Sequence, residues 1–224
     1  MRCLSKRILA VATSAAFVCC MLAGCTVSGP TTSESPAPAQ QENQAELITI
    51  DIPTRVVNIA MHANEYPIDD LRESGEGHFV DLTDEGTIGE DYHVLLTVTE
   101  QDRQWWIEYT EQLLADAQAE MERYATSIGE EGYEFSYDDT FTQLSYAYNQ
   151  AADADAMVGF IYQTEYLCIM RQLLSGAGDA SWEVSISIIN SDTSNIVAQT
   201  ESGSETIGNG IAIDDEDWER SYQQ

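Results

Sequence analysis

Three observations predict an α+β domain. Short runs such as "LITIDI", "YHVLLTVT" and "SWEVSISIIN" alternate apolar and polar residues, the mark of strands with one buried face. Two long segments, near 99–129 and 153–174, repeat apolar residues at helical spacing instead. From Tyr92 the predicted order is strand, helix, strand, strand, helix, strand.

Order is expected to begin at Leu47. Ile48, Ile50 and Ile52 fall on one face of a first strand, and Pro53 ends it. The stretch "VVNIAMHANEYPIDDLRES" is ambiguous. Pro67 interrupts any long helix and leaves room for a short one over Ile68 to Ser74. "GHFVDL" and "YHVLLTVT" bracket the turn-rich "TDEGTIGED" and read as a hairpin with a long loop. The clearest helix follows. Thr99 and Asp102 have capping-box spacing, Trp106, Tyr109, Leu113, Ala117, Met121 and Tyr124 line one face, and Gly129 supplies the stop. "YEFSYDDTFTQLSYAYN" reads as two strands turning at Asp138 and Asp139. A second helix starts at about Asp153, where its dipole favours an anion, and ends at Leu174. It is apolar over much of its circumference, which predicts a central helix packed on more than one side. Trp182, Val184, Ile186 and Ile188 share a strand face, "SDTSN" turns the chain, and "IVAQT" returns it. The end, "DDEDWERSYQQ", is expected to fray. This order fits a ferredoxin-like core, an antiparallel sheet with two main helices on one face, widened by extra strands.

The first 24 residues form a separate unit. Arg2, Lys6 and Arg7 precede the apolar run "ILAVATSAAFVCCML", which has signal-peptide length and is short for a membrane-spanning helix. "LAGC", at Leu22, Ala23, Gly24 and Cys25, resembles the lipobox of bacterial lipoproteins. That resemblance implies a diacylglyceryl group on the Cys25 thiol and cleavage just before it. Two acyl chains anchor stably where one binds marginally. "TVSGPTTSESPAPAQQENQ" then has too few large apolar residues to bury a core, and its prolines favour an extended tether. The expected organisation is a signal peptide over 1–24, lipidated cysteine and tether over 25–46, one domain over 47–212, and an acidic tail over 213–224. The lipobox, the tether and the strand–helix layout together resemble small cell-surface lipoproteins of Gram-positive bacteria. The resemblance is one of layout and supplies no catalytic residues.

Charge narrows the partners. Acidic residues number 39 against 9 basic ones, for a net charge of −30. The first 24 residues hold three of the cations and no acid, so the rest is more negative still. Such a surface repels nucleic-acid phosphates and anionic headgroups, and it favours solubility. Five cysteines are present, but only Cys168 lies within the expected domain, which excludes an internal disulfide there. Its apolar neighbours predict a buried, inert thiol.

No cofactor motif is found, and no catalytic residue or metal ligand is assigned. His78 and His93 fall on the two arms of one predicted hairpin and could approach with Asp81 or Asp91, but they read as ordinary strand histidines. "DEGTIGED" fails as a calcium loop, because Tyr92 stands where a bidentate Glu is needed. The candidate binding surface is aromatic. Trp105 and Trp106 cannot share one helix face, so an inward Trp106 turns Trp105 outward, where it could join Tyr133 and Tyr137. The expected function is therefore a non-enzymatic lipoprotein on the outer face of the cell membrane. It would serve as a binding or envelope-assembly module, with an extracytoplasmic protein or a small molecule as partner. The alternatives are an exported carboxylate-dependent hydrolase and an accessory subunit of a membrane complex.

Overall fold

The computed structural model describes residues 46–62, 67–87, 90–176, 181–203 and 213–223. All of them fall within one compact unit, Asn43–Gln224. Leu22, Ala23, Gly24 and Cys25, the signal peptide and nearly all of the tether lie outside the described residues.

Among the described residues seven strands form two sheets, and there are five helices. The first sheet is antiparallel, with β3 (His93–Thr99) between β1 (Leu47–Ile52) and β2 (Asp81–Glu85). The second runs β4 (Glu134–Tyr137), β5 (Gln143–Tyr148), β6 (Glu183–Asn190), β7 (Ile196–Gly203). Its outer pairs are antiparallel, while β5 and β6 are parallel and joined by helix α4 (Ala154–Leu174). The chain is α+β, but the single ferredoxin-like sheet is corrected. Residues of β3 pair with β1 on one edge and with β2 on the other. With both edges occupied, β3 cannot join the second sheet, and β6 pairs with β5 while β7 closes the far side.

The two long helices sit between the sheets. Helix α3 (Glu100–Ile128) touches β3 and β4, and α4 touches β1 and β6 as well as α1 and α3. The all-round apolar pattern of α4 is thereby explained: it has a packed neighbour on several sides. One core joins Ile52, Val94, Leu96 and Val98 of the first sheet to Phe135, Tyr146, Ile186 and Ile188 of the second, through Leu114, Met121, Ile169 and Leu174. Thr99 caps α3 by accepting from Asp102 N, and Gly129 ends it in the left-handed conformation, both at the expected residues. Asp153 caps α4, accepting from Ala156 N. Between β4 and β5, Asp138 Oδ1 accepts from the amides of Thr142 and Gln143, each at 2.8 Å, and holds the turn. Burial acts to raise the pKa of this carboxyl, but bonds from Thr140, Gln143 and Thr142 together outweigh it and bring it down to about 2.

Three local expectations change. The ambiguous stretch holds α1 (Thr54–His62) as well as the expected short helix, α2 (Pro67–Ser74). In α1, Val56, Val57 and Ala60 are buried, so tertiary packing overrides the weak helix propensity of its β-branched residues. The first hairpin strand begins at Asp81, which leaves His78 outside the sheet. The C-terminal segment does not fray. It forms α5 (Asp215–Ser221), with a capping box between Asp214 and Asp217 and with Trp218 buried.

Candidate functional site

A cluster of chemistry-bearing side chains lies at the surface where α3 begins. The chain leaving α2 turns at Gly75 and runs past the first turn of α3. Thr99 Oγ1 donates to Asp102 Oδ2 at 2.6 Å, and Asp102 Oδ1 lies 3.4 Å from His78 Nδ1. The His78 ring lies flat on Trp105, with centroids 3.8 Å apart and planes within 4°. Tyr109 lies parallel to the same indole at 5.0 Å. Trp106 points the other way, is buried, and donates from Nε1 to the His78 carbonyl at 2.8 Å. Successive helix residues diverge by about 100°, so the inward Trp106 sets the outward Trp105.

The arrangement restricts what Trp105 can do. Two rings stacked on one face of an indole at these distances would touch each other, and no ring contact joins His78 to Tyr109. They therefore flank the indole on opposite faces. Trp105 offers its edge, and its π-faces are occupied. The His78 side chain is about a third exposed and carries the solvent-facing part of the cluster. It is a histidine–carboxylate pair on an aromatic column, suited to hydrogen bonding. The Thr99 hydroxyl is committed to Asp102.

The other two aromatic candidates lie elsewhere. Tyr133 is buried and donates to Asn149 Oδ1 at 2.5 Å, and burial pushes its phenol up to about 12. It packs beside Tyr124, which is about 28 Å along α3 from Trp105 at 1.5 Å per residue. Tyr137 is half-buried and stacks on Phe141, over whose ring Arg171 sits at 4.8 Å. The structure unites Trp105 with His78, not with Tyr133 or Tyr137.

The two histidines sit at opposite ends of β3. His93 Nδ1 is 2.9 Å from Asp51 Oδ1 and its Nε2 is 3.7 Å from Glu85 Oε2, so it links both outer strands of the first sheet. Among the described residues, no group of three His, Cys, Asp or Glu side chains could hold a metal ion. Asp91 Oδ1 accepts from Thr87 N at 2.8 Å, beside β2. Cys168 is fully buried and burial pushes its thiol up to about 12, which leaves it inert as a nucleophile.

Glu165 is the group that sequence reading missed. It is a charged residue on the largely apolar α4, yet only 3% of it is exposed. Burial raises its pKa, and a hydrogen bond from Ser202 offsets that only in part. A carboxyl whose folded pKa is raised contributes stability below its unfolded pKa, about 4.3. That contribution is lost as pH rises towards the folded pKa. Wild type should therefore lose stability relative to Glu165→Gln as pH rises from 4 to 8. Urea unfolding across that range measures it, and parallel curves for the two proteins would contradict it.

Compared with protein-family models, with curated proteins and with solved structures, the chain finds no match, so its own geometry carries the functional argument.

Proposed function

We propose that this chain is a membrane-anchored extracytoplasmic lipoprotein, whose domain serves as a binding or envelope-assembly module. The observation that carries the reading is the junction "LAGC", set between a basic-then-apolar leader and a proline-rich polar stretch. Lipid on Cys25 would be the attachment. No helix among the described residues is long and apolar enough to cross a membrane, which is compatible with anchoring by lipid. Growth with radiolabelled palmitate tests it. Wild type should incorporate label and fractionate with membranes, and Cys25→Ala should do neither. Label retained on Cys25→Ala would overturn the reading.

The binding role draws support from the first turn of α3. There a partly exposed histidine–carboxylate pair and an indole edge are held together by ring stacking. Neither alternative gains a specific observation. Glu165, a carboxyl whose pKa is raised by burial, is closed off from solvent, and on α4 the one strongly exposed large apolar residue among those described is Val158. Crosslinking on living cells, followed by identification of what His78→Ala fails to capture, tests the module.

A further inference from the structure

Three buried side-chain polar atoms have no hydrogen-bond partner among the described residues: the Ser191 hydroxyl at the β6–β7 turn and two atoms deeper in the core, Oε1 of Glu165 and the indole Nε1 of Trp182. Both side chains are more than nine-tenths buried, with 3% and 1% exposed. Register puts them in one neighbourhood. Trp182 just precedes β6 and shares the face of Val184 two residues on, because strand side chains alternate. Val184 stands directly opposite Ser202 of β7. Ser202 in turn hydrogen-bonds the Glu165 carboxyl, which descends from α4. The Trp182 carbonyl also lies only 3.6 Å from where a Cβ on Gly203 would sit. Glu165, Ser202 and Trp182 thus converge where α4 crosses the open end of the β6–β7 hairpin.

A buried donor and a buried acceptor, left unpaired beside the same hairpin end, are costly unless a third molecule joins them. The lining chemistry selects that molecule. A cation would face the indole N–H, a donor. An anion would meet the Glu165 carboxyl, on which no cationic side chain acts, and the nearby Arg55 guanidinium is already engaged with the Gly203 carbonyl. A small neutral molecule that both accepts and donates satisfies every group. We propose that ordered water occupies this junction, accepting from Trp182 Nε1 and bonding the Glu165 carboxyl and the Ser202 hydroxyl. Such water gives the carboxyl a partner in either protonation state, and it accounts for an acid kept inside the core without a cation beside it.

The test is made on the uniformly 15N-labelled full-length protein. It has four tryptophans, hence four indole N–H signals. Trp182→Phe assigns its own signal by loss. If that variant fails to fold, Trp105→Phe, Trp106→Phe and Trp218→Phe assign it by elimination. The Trp182 indole proton should show a dipolar cross-peak at the water frequency, of opposite sign in laboratory-frame and rotating-frame experiments, as a long-lived water requires. Melting temperatures give a second reading. Trp182→Phe and Glu165→Leu should each lower the melting point, and the double variant should fall little further than the worse single one, since both act on the same water. An assigned Trp182 indole proton without a dipolar water cross-peak overturns the proposal, whichever way the variants melt.

Discussion

Trp218→Ala is expected to lower unfolding free energy by about 3–5 kcal/mol, the usual loss for a buried Trp cut to Ala, and to release the C-terminus. Helix α5 has seven residues, too few to be stable alone in water. Its capping box satisfies two amides but cannot supply the missing cooperativity. Docking must do so. Trp218 is 8% exposed and meets Tyr148 edge to face at 5.4 Å. Around it, the end of α5 holds the β6–β7 turn. Asn190 Nδ2 donates to Ser221 Oγ at 2.8 Å, Asn195 Nδ2 and Thr193 Oγ1 donate to the Ser221 carbonyl at 2.6 and 3.0 Å, and Tyr222 donates to Asp192 at 2.8 Å. Without the indole anchor these bonds lose the helix that presents them. Denaturant unfolding should shift accordingly, and a protease should clip the variant's end much faster than that of wild type. An unchanged clipping rate would show that the polar bonds alone keep α5 docked.

The missed α5 shows what a linear reading can and cannot extract. Asp214, Asp215, Glu216 and Asp217 look like a solvated tail, and the same acids are what an N-terminal helical turn favours. The deciding residue was Trp218, and a lone aromatic in an acidic run has no periodicity to announce burial. The long elements were legible because their signals repeat. The alternation of β6 and the caps of α3 and α4 lie where the pattern puts them. Sheet membership was not legible. Nothing within "HVLLTVT" says whether its edges will be taken by β1 and β2 or by later strands, because pairing is a long-range choice among similar faces. The candidate site was half legible. Trp105 turned outward follows from helix geometry, whereas its partner His78 depended on where β2 begins. Glu165 was illegible because α4 is buried on several sides, so no flank of it was free for a charged residue.

Gly75→Ala should destabilise the fold by an amount at or beyond the upper end of the ~1–3 kcal/mol usual for overpacking. Gly75 closes α2, its N–H bonding the Leu71 carbonyl at 3.0 Å, and its own carbonyl accepts from His78 N at 2.8 Å. The Trp106 ring lies directly against it. An added methyl would fall 2.0 Å from Cζ2 and 2.5 Å from Cη2 of that ring, with the Leu71 carbonyl oxygen at 2.9 Å behind it. The ring cannot step aside freely. It is 3% exposed, and its N–H is tied to the His78 carbonyl three residues on from Gly75. Moving it breaks that bond and disturbs the segment whose histidine stacks on Trp105. Backbone strain does not confuse the result, because Gly75 lacks the positive φ that would favour glycine. Gly159 provides the opposite case. It lies within α4, has open space around its Cβ position and no positive φ. Gly159→Ala should therefore stabilise, by about 0.5–1 kcal/mol from helix propensity alone. Denaturant unfolding of the two variants should thus move in opposite directions. The Gly75→Ala protein should also show faster hydrogen exchange at the Trp106 indole. If Gly75→Ala unfolds at the wild-type midpoint, the close seat of Trp106 on the α2 terminus is wrong.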